Sequence, residues 1–110
     1  MEIAGKTALV TGSGVRLGKA ISRALAENGC QLVLHYNSSA EGSEEVRDYA
    51  ATLGVKALTY QADLTDPEEL RALVSFGTAE FGHLDILINN SAIYLSGKGM
   101  DTTSELLEKQ

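Results

Sequence analysis

Short apolar runs of β type alternate along the whole chain with stretches of helical period, and that alternation admits few folds. Thr7–Thr11 reads as a first strand, Gln31–Tyr36 as a second, Val55–Gln61 as a third and Asp85–Asn89 as a fourth. The centre of the second run, Leu32-Val33-Leu34, is continuously apolar instead of alternating. Such a strand suits burial on both faces, the condition of a parallel sheet covered by crossover helices.

The stretches between the strands carry helix signals. Leu17, Ala20, Ile21, Ala24 and Leu25 recur at helical spacing before Asn28-Gly29 stops the helix. A second, polar helix offers Val46, Tyr49, Ala50 and Leu53 as its inner face and ends at Gly54. The third has the clearest start, Asp66-Pro67-Glu68-Glu69. Asp66 can cap free amides, Pro67 suits the first turn, and Glu69 can reach back to the cap. Leu70, Leu73, Val74 and Phe81 are expected to face inward. Gly77 within this helix costs up to about 1 kcal/mol against alanine, and the sequence supplies no reason for it. Thr102-Thr103-Ser104-Glu105 has capping-box spacing and opens a further helix.

With 110 residues the chain is at most one domain, large enough to bury roughly two-thirds of its unfolded surface. Its 44% hydrophobic and 22% charged residues describe a globular chain. No apolar run approaches the roughly 20 residues that cross a bilayer, and Met1–Gly5 lacks the features of a signal peptide. Cys30 is the single cysteine, so no internal disulfide is possible. These features set the expectation of a cytoplasmic protein with no membrane partner. The formal net charge is −6. Its acids gather at Glu41, Glu44, Glu45 and Asp48, then at Asp66, Glu68 and Glu69, which read as solvated helix faces. An acidic chain with no basic stripe repels a phosphate backbone, which argues against nucleic acid as a partner.

Thr11-Gly12-Ser13-Gly14-Val15-Arg16-Leu17-Gly18 joins the first strand to the first helix. A tight turn at this place brings backbone close to a pyrophosphate, whose charge the free amides at a helix start favour. The dinucleotide pattern G-x-G-x-x-G is not met, because position 17 is leucine. The spacing instead resembles the T-G-x-x-x-G-x-G signature of the short-chain dehydrogenase/reductase family, with Arg16 in place of the middle glycine. Further features match in order. Gly29-Cys30 leads into the second strand, Ala62-Asp63-Leu64-Thr65-Asp66 resembles the family's acid after the third strand, and Leu84–Ala92 resembles its L-D-x-L-V-N-N-A-G segment. Thr102 onward resembles the next helix start. Arg16, Ser91-Ala92 and His35-Tyr36-Asn37-Ser38-Ser39 resemble the pteridine-reductase branch, and 3-oxoacyl-carrier-protein reductases have similar residues after the second strand.

The resemblance implies an α/β fold: a Rossmann-type doubly wound parallel sheet whose N-terminal portion has strand order 3-2-1-4, residues 1–110 being a dinucleotide-binding half-domain. It also implies site residues. Gly12, Arg16 and Leu17 would line the pyrophosphate and ribose. Asp63 would accept from the adenine amino group with the Leu64 amide beside it. Asn90, Ser91 and Ala92 would approach the ribose and the nicotinamide half. The cofactor expected is NADP, as NADPH. NAD-binding folds usually place an acid at the end of the second strand; here that place falls near Tyr36, and no acid follows until Glu41. Arg16 can fork onto a 2′-phosphate, with Asn37 and Ser38 completing the site. His35, at the strand end, reads equally as a structural or a functional residue.

The family reduces a small-molecule carbonyl with a tyrosine as general acid, a lysine four residues on, a serine and an asparagine. Tyr94 and Lys98 have that spacing, but Gly97 and Gly99 break the helix it needs. No catalytic residue is therefore expected in this chain, no metal site is read, and the chemistry is assigned to residues beyond Gln110. A 3-2-1-4 order would leave the fourth strand as a bare apolar edge, so a homo-oligomer or a complementing C-terminal half is expected. The rival readings are a non-catalytic nucleotide-binding module and one half of a split assembly.

Overall fold

The computed structural model describes residues 2–90. Four parallel strands, β1 (Thr7–Thr11), β2 (Gln31–Tyr36), β3 (Ala57–Gln61) and β4 (Ile86–Asn89), alternate with helices α1 (Arg16–Glu27), α2 (Glu41–Thr52) and α3 (Pro67–Phe81). The sheet order is β3-β2-β1-β4, the order the resemblance implied. β1 lies between β2 and β4, with Leu9 opposite Val33 on one side and Leu87 on the other.

Strand alternation divides the core between the two faces. Ala8, Val10, Leu32 and Leu34 point to one face and meet Ala26 of α1 and Val46 and Ala50 of α2. Leu9 and Val33 point to the other and meet Leu73 of α3, with Phe76 and Phe81 beside it. Helices on both faces are what allow the strands to be apolar throughout. The crossovers deliver the carboxyl ends of all four strands to one rim.

The strand boundaries differ from the sequence expectation in two places. β3 begins at Ala57, because the Val55 amide donates to Ala50 O at 3.0 Å and closes α2. β4 begins at Ile86, because the Asp85 carboxylate accepts from the Thr7 amide at 2.9 Å, ahead of the ladder.

The helix faces differ more. On α1 the buried line is Gly18, Ser22 and Ala26, while Leu17, Ala20 and Ala24 turn outward. Small residues let this helix sit close to its neighbours, so volume rather than hydrophobicity chose its inner face. On α2, Val46 and Ala50 are buried. Tyr49 is half-buried, its hydroxyl donating to Glu27 Oε2 at 2.5 Å, and Leu53 lies past the helix end and is exposed.

On α3, Leu73 and Gly77 form the buried line, and Leu70 and Val74 are 41% and 43% exposed. The described sheet ends at β4, so the α3 flank overhanging that edge has nothing described to bury against. Gly77 now has a reason. A Cβ there would stand 3.0 Å from Leu84 Cδ2 and 3.1 Å from Val33 Cγ2, so its absence sets how closely α3 sits on the sheet. Asp66 caps α3 by accepting from the Glu68 amide at 2.9 Å. Glu69 reaches past the cap and accepts from the Asp63 amide at 2.8 Å. Among the described residues, no helix is long and apolar enough to cross a membrane.

Leu73→Ala should lose about 2–5 kcal/mol of stability, the range for truncating a buried leucine. Leu70→Ala should lose less than about 1 kcal/mol, as for a largely solvated side chain. Urea denaturation of both variants distinguishes the positions, and similar losses would contradict the helix orientation.

Candidate functional site

The loop from β1 into α1 is fixed by backbone groups. Gly12 has φ 60°, a left-handed conformation that glycine adopts without steric cost. Its amide donates to His35 Nδ1 at 3.1 Å. The Ser13 amide and hydroxyl both donate to His35 O at 3.0 Å, and the two buried hydroxyls of Ser13 and Ser43 share a hydrogen bond of 2.8 Å. Gly14 and Gly42 meet backbone to backbone; a Cβ on either would stand 2.8 Å from the other's carbonyl carbon. On the opposite side the Asn90 amide donates to Thr11 Oγ1 at 2.8 Å, and Asn90 Nδ2 donates to Gly12 O at 3.4 Å.

His35 is fully buried, and burial pushes its pKa below the ordinary value of 6.5, against a smaller upward pull from the Ala62 carbonyl. A neutral ring accounts for both of its contacts. Nε2–H donates to Ala62 O at 2.8 Å, which leaves Nδ1 as the acceptor that the Gly12 amide requires. Both ring nitrogens are thereby committed to holding the loop.

The start of α1 is left open. Its first turn has no side-chain cap and no acidic residue. Among the described residues, the Arg16, Leu17 and Gly18 amides have no acceptor. These are the orphan donors of a helix start, where the aligned peptide dipoles favour an anion. Arg16 itself has φ 43°, which costs a residue with a Cβ about 1 kcal/mol or more. The strain explains why a glycine suits this place in the pattern that the sequence resembles. It also marks Arg16 as a residue held in an unfavourable conformation beside an open cleft.

That cleft has a volume of about 430 Å³. One wall is the loop from Gly12 to Leu17, the other is the end of β2 from His35 to Ser39, and Asn90 closes the side. Among the described residues, the lining contains no carboxylate and Arg16 is its one cation. Leu17, expected on the inner face of α1 by period and on a ligand by resemblance, is 62% exposed and lines the cleft. The structure thus brings together Gly12, Arg16, Leu17, His35, Tyr36, Asn37, Ser38 and Asn90 from the sequence expectation.

Asp63 and Leu64 are not among the lining residues. The Asp63 carboxylate accepts from the Thr65 hydroxyl at 2.6 Å and from the Thr65 amide at 3.0 Å. Those bonds hold its pKa below the usual value, the hydroxyl contributing most. Ser91, Ala92, Tyr94, Lys98 and the helix expected from Thr102 lie outside the described residues. Sequence reasoning missed Gly14, Ser13, Gly42 and Ser43 as a unit. The available signal was a glycine two residues into a polar helix, which marks a close approach of another backbone.

The short chain dehydrogenase family model matches residues 6–110. A hydroxynaphthalene reductase-like protein of Metarhizium anisopliae is 40% identical over 104 residues, covering 94% of this chain and 39% of that protein. Versicolorin reductase 1 of Aspergillus parasiticus is 39% identical over 105 residues, covering 96% and 40% respectively. A solved short-chain dehydrogenase/reductase from Serratia marcescens superposes with a TM-score of 0.79 at 35% identity, covering 86% of this chain and 38% of that one. The chain belongs to the short-chain dehydrogenase/reductase family, and it spans about two fifths of the length of the relatives it matches.

Gly18 provides a test of the loop geometry. A Cβ there would collide with the Gly12 carbonyl oxygen and stand 2.5 Å from Asn90 Nδ2, so α1 would have to move. Gly18→Ala should therefore destabilise by about 1–3 kcal/mol, the usual cost of overpacking, despite alanine's higher helix propensity. A thermal melt unchanged or raised by this substitution would contradict the close approach.

Proposed function

We propose that the cleft holds the adenosine-pyrophosphate portion of a nicotinamide dinucleotide, and that the cofactor is NADPH. The observation that carries this reading is made among the described residues: unpartnered α1 amides face a lining that has one arginine and no carboxylate. The amides suit the pyrophosphate. Arg16 makes no ion pair among the described residues and suits the 2′-phosphate, with the exposed Asn37, Ser38 and Ser39 supplying further polar groups. A carboxylate about 4 Å from that phosphate would cost on the order of 4 kcal/mol per charge pair at an effective dielectric near 20; the lining carries no such penalty.

Asp63, whose Oδ1 is engaged by Thr65, keeps a second oxygen for the adenine amino group. By the family resemblance, Asn90, Ser91 and Ala92 would serve the ribose and the nicotinamide half. The bound cofactor would supply the hydride, and a small-molecule carbonyl would accept it. The chain's own residues bind and orient. The proton donor is assigned outside this segment, so residues 1–110 alone should oxidise NADPH no faster than background in the presence of ketones or 3-oxoacyl thioesters. Turnover abolished by Tyr94→Phe would overturn that assignment.

Cofactor preference is tested by titrating NADPH and NADH against the parent protein and Arg16→Ala. A charge-assisted contact is worth roughly 1.5–3 kcal/mol, about ten- to a hundredfold in affinity. NADPH binding should weaken by that factor and NADH binding should change little. Equal weakening of both would remove the 2′-phosphate assignment.

A further inference from the structure

Three backbone and side-chain donors of the loop end on one residue. The Gly12 amide ends on the His35 ring, and the Ser13 amide and hydroxyl end on its carbonyl. The ring contact has a fixed polarity. Nδ1 accepts from Gly12 only because the proton sits on Nε2, where Ala62 O accepts it. A second proton would go to Nδ1 and turn the acceptor into a donor aimed at the Gly12 N–H. The bond would be lost, and a cation would stand in a fully buried position.

Among the described residues, no neighbouring charge compensates such a cation. The β1 loop presents no titratable side chain before Arg16, β2 presents Tyr36, and β3 presents Tyr60 as the register partner of His35. In the turn beyond β3, the Asp63 carboxylate is engaged by Thr65, and Glu69 of α3 is engaged by the Asp63 amide. Glu41, Glu44 and Glu45 of α2 are exposed. None of these carboxylates bonds the ring. Gly12 cannot adjust freely either, since Asn90 Nδ2 holds its carbonyl and a Gly18 packed against that carbonyl holds the helix.

We infer that His35 is a positioning residue for the glycine loop, holding it in its binding shape only while the ring is neutral, so that cofactor affinity falls as the ring takes up a proton. The inference rests on the cofactor reading above for its affinity readout, but not for its effect on the loop. The sign follows from burial. The neutral form is favoured, so the ring protonates below the ordinary histidine value of 6.5. Loop and affinity are intact at pH 7.5 and above. Below the ring's own titration point, affinity falls up to tenfold per pH unit, as expected when one proton opens the binding-competent state.

The test follows three quantities in the full chain between pH 8 and pH 5. These are the His35 ring ¹⁵N shifts, the exchange protection of the Gly12 and Ser13 amides relative to Leu9, and the dissociation constants of NAD⁺ and NADP⁺. NAD⁺ is included because a 2′-phosphate itself titrates near pH 6. Gly12 protection and NAD⁺ affinity should fall together with ring protonation. His35→Gln, neutral throughout, should bind more weakly at pH 7.5 with no pH dependence in this window, and His35→Phe, which has no acceptor, should bind at least tenfold more weakly than wild type. Ring protonation without loss of Gly12 protection, or wild-type affinity in His35→Phe, would overturn the inference. Failure of both cofactors to bind while Gly12 protection still follows the ring would overturn the cofactor reading and leave the role of His35 supported. Should the variants fail to fold, the wild-type ring and amide titrations decide alone.

Discussion

Backbone approaching backbone without an intervening side chain governs this end of the molecule. Gly18 brings the first turn of α1 against the Gly12 carbonyl, and Gly14 meets Gly42 across the gap between α1 and α2. Each contact leaves no room for a methyl group. Together they fix where α1 begins and hence where its unpartnered amides point. The same proximity places the end of β2 across the cleft from Arg16. Were the loop one side chain thicker, the two walls would separate and the amides would lose their common focus.

The polar interior beneath the loop complements those contacts. Ser13, His35 and Ser43 are buried beneath the loop, where burying a polar group is costly unless it finds a partner. Here the partners satisfy one another. Ser13 donates to the His35 carbonyl and shares a bond with Ser43, while His35 bridges Gly12 and Ala62. The network ties the loop after β1 to β2, α2 and the turn after β3, so the loop's position depends on three elements at once. An apolar substitute would fill the space without specifying that position.

Much of this was readable from the sequence, for physical reasons that differ by residue. The strands were legible because continuous apolar runs such as Leu32–Leu34 have few other solutions. The third helix was legible because Asp66 and Pro67 act locally, without reference to the rest of the chain. The inner face of α1 was legible only in part: Leu25 packs on the core, but periodicity weighs leucine above glycine and serine, whereas close packing selected Gly18, Ser22 and Ala26 for the buried line. Leu70 and Val74 were misassigned for a related reason, because an apolar stripe says nothing of where a sheet stops. At the site, the glycine spacing and the absence of an acid near Tyr36 were visible. The strain at Arg16 and the two bonds of the His35 ring were not, because both arise from contacts distant in sequence.

On this reading the open amides of α1 receive the phosphates of a dinucleotide. Amide ¹H–¹⁵N shifts recorded during titration with NADP⁺ test it most directly. The largest saturable changes should fall on Arg16, Leu17 and Gly18, with smaller ones at Asn37 and Ser38 across the cleft. Changes confined to other surfaces, with those three amides unmoved at saturation, would contradict it.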